Sequence, residues 1–212
     1  MKPSFSHNSL LLPFFAIATF IALYILAAYY YPGGNDANKA QVGFDILQNY
    51  WCDLLGGQAK NGAPNPSRPI AIVAMIILFS GLAVFWYHVP NLFNENKTSN
   101  RIIRWCGVIS MLTATLLFTP YHDPVINIAG LFGIISFVAT FIALYKFRYR
   151  GLLALGIFAL LMCFINYIIY FSGNFISLLP VFQKVAFIIC LTWISIFNYK
   201  LYSLPNKQTQ YN

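Results

Sequence analysis

Six stretches of this chain are so apolar, and so nearly free of charge, that water is not their solvent. They are Leu10–Tyr31, Pro69–Val89, Trp105–Thr119, Pro124–Tyr145, Gly151–Ser172 and Leu178–Tyr202. A helix needs about 20 predominantly apolar residues to cross the hydrocarbon core of a bilayer. The third stretch is the short one, and it lengthens by reaching back through Ile103 to Ile102. Spans must satisfy their backbone polar groups internally, and runs of this length do so as helices. The pattern predicts an all-α membrane protein: one polytopic domain over residues 1–212, a six-transmembrane-helix bundle with an outer loop over residues 32–68.

Only 8% of the residues are charged, against about 25% in a soluble domain. The balance is nevertheless basic, 13 Lys and Arg against 5 Asp and Glu. A nucleic-acid binder displays such a balance on an exposed surface, and this chain has too little polar surface to offer one. No nucleic-acid partner is expected; membrane lipids are. The first run is not read as a cleavable signal peptide, because Tyr29-Tyr30-Tyr31 stands where a peptidase needs small residues. Helix punctuation supports the boundaries. Pro69 and Pro124 suit a first helical turn, Asp123 suits a cap, and Pro32-Gly33-Gly34 and Gly173 end spans.

An even number of spans puts both termini on one side, so the cations can be counted by side. One side holds Lys2, Lys97, Arg101, Arg104, Lys146, Arg148, Arg150, Lys200 and Lys207; the other holds Lys39, Lys60, Arg68 and Lys184. Asp36, Asp45, Asp53 and Asp123 fall on the second side, and Glu95 on the first. The count predicts a cell (inner) membrane protein with both termini cytoplasmic. Aromatic residues such as Tyr29, Tyr121, Trp86 and Trp105 gather at both interfaces, as headgroup depth favours.

Association within lipid relies on small residues that let backbones approach. The fourth span carries Ala129, Gly133, Ser136, Thr140 and Ala143; the fifth carries Gly156, Ala159, Cys163 and Asn166; the sixth carries Gln183, Ala186, Cys190 and Trp193. Their spacing of three and four predicts helix seams, which could also join two copies of the chain. Cys52, Cys106, Cys163 and Cys190 are scattered, and no structural disulfide is expected.

Candidate chemistry lies on the outer side. Residues 44–55 read as a short amphipathic interfacial helix, with Phe44, Leu47, Trp51 and Leu54 on one face and Asp45, Gln48, Asn49, Cys52 and Asp53 on the other. Such a helix could act as a lid. The link Thr119-Pro120-Tyr121-His122-Asp123-Pro124 holds His122 and Asp123 near the surface, where a helix cap is sufficient explanation for Asp123. Amide and ionisable groups inside spans are expensive and tend to line interior sites. Asn127, Asn166, Gln183 and Lys184 all fall in the outer half, with Thr115 and Thr119, whereas Asn198 is the amide at the inner end. The asymmetry predicts a polar pocket open to the outside. Lys184 is expected either to snorkel outward or to pair with Asp53 or Asp123. An ion-coupled transporter is disfavoured, since ionisable groups at the midplane and an inverted repeat are both missing.

The runs Tyr31-Pro32-Gly33-Gly34, Asn49-Tyr50-Trp51-Cys52-Asp53-Leu54, Asn61-Gly62-Ala63-Pro64-Asn65-Pro66 and Tyr121-His122-Asp123 resemble an uncharacterised prokaryotic integral membrane family, a domain of unknown function. That family has a Pro-Gly after its first helix, a (Ser/Cys)-Asp-Leu in its first outer loop and a Pro-rich entry to its second helix. The resemblance implies an integral membrane protein and supplies no activity. A fainter similarity is to alkaline-ceramidase-like membrane hydrolases, whose Ser, Asp and His residues surround zinc; this chain lacks their paired late histidines.

Three functions follow as expectations. The first is a pocket for a lipid headgroup or small amphiphile, bound by Asn49, Tyr121, Asn127, Asn166, Gln183 and Lys184. The second is a membrane-embedded hydrolase of lipid-like substrates, with Asp53, His122 and Asp123 as acid, base or metal ligands. No cofactor is predicted, although Cys52, Asp53, His122 and Asp123 include zinc-ligand types. The third is a non-catalytic assembly partner acting through the small-residue seams.

Overall fold

The computed structural model describes residues 7–93 and 97–204. Lys2, Glu95, Lys207 and the tail Pro205–Asn212 lie outside the described residues, as do the side chains of His7 and His122. The described chain forms six α-helices: α1 (Leu12–Tyr29), α2 (Arg68–His88), α3 (Lys97–Ala114), α4 (His122–Lys146), α5 (Arg150–Ser172) and α6 (Leu179–Tyr202). Short 3-10 turns at His7–Leu11, Val89–Leu92 and Ile176–Leu178 adjoin them, and a fourth, Trp51–Leu55, lies in the long loop. No β-strand occurs among the described residues, only the isolated bridges Gly33–Val42 and Gln58–Pro64.

Among the described residues five segments are long and apolar enough to cross a membrane: Asn8–Tyr29, Arg68–Leu92, Asp123–Lys146, Arg150–Ser172 and Ile176–Tyr202. The third helix differs from expectation. Lys97, Arg101 and Arg104 stand in its first eight residues, and α3 ends at Ala114 rather than Thr119. Beyond Ala114 the backbone tightens into bonds of three-residue span, from Leu116 N to Thr113 O (3.0 Å) and from Leu117 N to Ala114 O (3.2 Å).

The helices divide between two compact units. The first comprises Met1–Ile17, Leu78–Leu153 and Ile194–Asn212. Its centre is the antiparallel pair α3 and α4. Ser110 Oγ donates to Ala129 O (2.7 Å) and Ser136 Oγ to Ile103 O (2.8 Å), so the paired numbers rise on one helix as they fall on the other. A Cβ on Gly133 would lie 3.1 Å from Ser110 Oγ. Ser136, Thr140 and Ala143 are buried, so the spacing of small residues did mark the contact face of α4. Each interhelical side-chain bond of this kind contributes about 0.6 kcal/mol in membrane proteins, so close packing carries most of the pair. Gly107 of α3 faces the Trp86 ring of α2, where an added Cβ would lie 2.5 Å from ring carbons. Arg104 Nε donates to Tyr87 O (2.9 Å), and its guanidinium lies over the Tyr87 ring (4.5 Å), so α3 also runs antiparallel to α2.

The second unit comprises Ala18–Ile77 and Ala154–Trp193. Here the fifth and sixth seams meet. Ala159 and Ala186 are buried, and Cys163 Sγ and Cys190 Sγ lie 3.5 Å apart with both thiols free. The long loop belongs to this unit and is folded throughout. Gly33 and Gly34 take φ of 135° and 80°, and a Cβ on either would strike backbone, Gln41 O for Gly33 and Asn61 N for Gly34. Only glycine accepts both the torsion and the contact. Gly34 N donates to Gln41 O (2.7 Å) and Asn61 N to Gly33 O (3.2 Å), which draws three parts of the loop together.

The amphipathic helix expected over residues 44–55 does not form. Asp45 Oδ1 accepts from Leu47 N (2.8 Å) and Gln48 N (3.3 Å), while Asn49 Oδ1 accepts from Asp45 N (2.9 Å). These side chains take backbone donors that a continuing helix arranges otherwise. Tyr50 is extended (ψ 156°), and a 3-10 turn over Trp51–Leu55 follows. Leu47, expected on the buried face, is 59% exposed, whereas Leu54 is fully buried.

Candidate functional site

The polar groups that converge lie in the second unit, around Asn49, Asp53 and Lys184. Asp53 enters through the 3-10 turn, its carboxylate almost wholly buried. Its Oδ2 accepts from Asn49 Nδ2 (2.9 Å) and from Tyr50 N (2.9 Å), and Oδ1 lies 3.6 Å from Lys60 Nζ. Asn49 is fully buried and also donates to Gly34 O (2.8 Å), the carbonyl that Tyr31 Oη approaches at 3.4 Å. Asn65, which the sequence reading passed over, donates to Gly56 O (2.9 Å) and accepts from Ser67 N (3.1 Å) at the entry to α2. Its position in the run Asn61–Pro66, just before a helix, was the available signal.

Lys60 bridges two acids, Asp36 at 2.8 Å and Asp53 at 3.6 Å. Its pKa lies above the ordinary lysine value: partial burial pulls it down, and the bond it donates to Asp36 with the charge on Asp53 more than offsets that pull. The Lys60 hydrogen bond holds Asp36 below the usual carboxylate range.

Lys184 follows neither route expected of it. The side chain does not snorkel, for the residue is only 7% exposed. No carboxylate lies within 4 Å of its ammonium among the described residues, although Asp53 and Asp45 act on it through space. Lys184 Nζ donates instead to Asn49 O (2.5 Å) and Pro180 O (2.9 Å), and sits 5.5 Å from the Trp51 ring and 5.9 Å from the Phe44 ring. An ammonium has three donors. Two are used here, and charge without a close counter-ion is expensive to bury.

The same turn of α6 receives two more predicted residues. Gln183 Oε1 accepts from Trp51 N (3.2 Å), and Asn166 Nδ2 donates to Phe182 O (3.1 Å) and Met162 O (3.1 Å). Two atoms beside these bonds are buried without a partner, Trp51 Nε1 and Asn166 Oδ1. Buried polar atoms are nearly always satisfied, so a vacant donor and a vacant acceptor flanking residues 182–184 stand out.

Tyr121, Asp123 and Asn127 belong to the first unit, where all three are exposed. Asn127 therefore does not line an interior pocket. Thr115 Oγ1 donates to Leu112 O (2.6 Å) and Thr119 Oγ1 to Leu116 O (2.7 Å), back to their own turns. Among the described residues no three His, Cys, Asp or Glu side chains gather as a metal ion requires.

The first unit has a polar arrangement that sequence reading missed. Buried His88 lies 2.9 Å from Ser9 Oγ through Nε2 and 3.2 Å from Asn91 Nδ2 through Nδ1. The arrangement ties the turn before α1 to the end of α2. Asn198 performs a parallel task, donating to Leu10 O (2.8 Å).

No family model, curated protein or solved structure matches this chain. The resemblance to an uncharacterised membrane family thus rests on the quoted motifs alone.

Proposed function

We propose that the chain is a multi-pass membrane protein whose folded loop and α6 hold the polar head of an amphiphile, a group with anionic or acceptor oxygens. The observation that carries this reading is Lys184, a buried ammonium with one unused donor and no close carboxylate, beside the vacant indole N–H of Trp51. An acceptor oxygen would supply both partners, and Asn166 Oδ1 would take a hydroxyl from the same head. Gln183 holds the Trp51 backbone and Asn49 O holds the Lys184 ammonium, so both position the binding groups.

The topology belongs to the proposal. Antiparallel packing against both α2 and α4 supports reading α3 as a sixth span, its apolar part Trp105–Ala114 covering roughly 15 Å at the helical rise before the turns that follow. The cation count then assigns the loop to the outer face of the cell membrane and both termini to the cytoplasm. Membership of the uncharacterised membrane family is compatible with this.

A hydrolase with Asp53 as acid or base draws less support, because both carboxylate oxygens already face donors of the fold. An assembly role for the seams draws less too, since Ser136, Thr140 and Ala159 are already buried within the chain.

The test is thermal unfolding in dodecyl maltoside with and without dodecyl phosphate. Wild type should gain stability with the phosphate amphiphile, and the gain should vanish in Lys184→Met and shrink in Trp51→Phe. Equal gain in all three would overturn the reading.

A further inference from the structure

We infer that the turn between α4 and α5 is a second binding site, for the phosphate of an anionic lipid headgroup. The argument begins with the way α4 ends. Arg148 N donates to Tyr145 O (3.1 Å) and Tyr149 N to Leu144 O (2.9 Å), the paired bonds of a helix terminus whose penultimate residue is left-handed. That residue is Arg148, with φ of 60°. Glycine is the usual occupant, because a Cβ is strained there. This turn keeps a long cation in the position where glycine would relieve the backbone. Non-glycine residues at such torsions persist where surrounding structure enforces them, often at ligand sites.

The turn opens on a cleft of about 340 Å³ lined by Arg148, Tyr149, Arg150, Gly151, Tyr199 and Lys200, among others. Three of these are cations, and none forms an ion pair with a carboxylate among the described residues. Lys200 Nζ rests 6.0 Å from the centre of the Tyr149 ring rather than against an acid. The acid on α4 itself, Asp123, lies at the far end of that helix, roughly 34 Å away along the axis. A Cβ at Gly151 would meet nothing within 4 Å, so the cleft stays open at that position. Three cations with no ion pair among the described residues and two tyrosines, around one cleft, define a phosphate site.

Its source follows from where the cleft lies. α4 ends, α5 begins and α6 ends around it, and all three are apolar and long enough to cross a bilayer. Such helix ends stand at headgroup depth, where phosphates of anionic lipids are concentrated.

Native mass spectrometry of the full chain, released from nanodiscs holding phosphatidylglycerol and phosphatidylcholine, tests the site. Wild type should retain the anionic lipid preferentially. Arg150→Gln and Lys200→Gln should each lower that retention about fivefold, the effect of one cation near a membrane surface. Arg148→Gly is the discriminating variant: it should lose retention to the same degree while its unfolding temperature holds or rises, because glycine relieves the turn. Unchanged retention in Arg148→Gly, or equal retention of the two lipids by wild type, would overturn the proposal. Stripping of the lipid by millimolar inorganic phosphate, with phosphate bound in its place, would overturn the lipid assignment in favour of a soluble anion. Lys184→Met should leave retention intact, and its loss there would assign the lipid to the other site.

Discussion

The two units treat charge in opposite ways. In the loop-bearing unit Asp53, Asn49, Lys60 and Lys184 are bound by one another and by loop carbonyls. In the α3–α4 unit, polar side chains inside the bundle are neutral, the hydroxyls of Ser110, Ser136 and Thr140, the His88 imidazole and the Asn198 amide, and Arg148, Arg150 and Lys200 are left exposed with no ion pair to a carboxylate among the described residues. The lesson concerns where burial falls. Interior charge in this chain needs a loop to enclose it, whereas bundle packing is served by small residues and leaves charge at helix ends.

Substitutions can break that contrast. The largest effect should come from Asp53→Ala. It removes a buried carboxylate, takes one of two acceptors from Asn49 Nδ2, strands Tyr50 N and leaves Lys60 with Asp36 alone; two lost hydrogen bonds to a charged group should cost about 3–5 kcal/mol in unfolding free energy. A loss under 1 kcal/mol would mean the loop is held by other means. Next is Gly107→Ala, whose added methyl meets the Trp86 ring and should cost about 1–3 kcal/mol. Near-neutral behaviour would show that the α2–α3 contact yields, and that the first unit does not depend on close approach.

Lys184→Met should cost less than either, about 1 kcal/mol, because the stranded acceptors are two carbonyls and Asp53 keeps Asn49, Tyr50 N and Lys60. A loss matching that of Asp53→Ala would make Lys184 a structural clamp and remove the reason to assign it a ligand. The smallest effect concerns acid. Asp36 is held below its unfolded value near 3.9, so its contribution is present above that pH and fades as pH falls through the lower folded value. With the side chain 55% exposed, the pair contributes a few tenths of a kcal/mol at most. Asp36→Asn should flatten that small acid slope in unfolding curves below about pH 4.

The sequence made some of this legible and hid the rest for physical reasons. Small residues every three or four positions report a contact face directly, which is why Ser136, Thr140 and Ala143 were found. The cost of polar groups inside spans grouped Asn166, Gln183 and Lys184 with Asn127, and the structure brings together only the first three. Spacing failed over residues 44–55, where the apolar pattern fits a helix but Asp45 and Asn49 turn their side chains onto the backbone. Periodicity records which residues are apolar and is blind to that competition. The fate of Lys184 was equally hidden: its acceptors are carbonyls, and a carbonyl has no residue type to read. Arg148 was counted for topology alone, because nothing in the letter reveals a left-handed torsion.

The loop also has a dynamic consequence. Gly34 O, Asn49 and Asp53 each hold more than one segment, so no segment of residues 33–67 can leave without breaking bonds held by the others. Opening of such a cap is cooperative. Its hydrogen-bonded amides should therefore exchange with solvent deuterium together, at one rate.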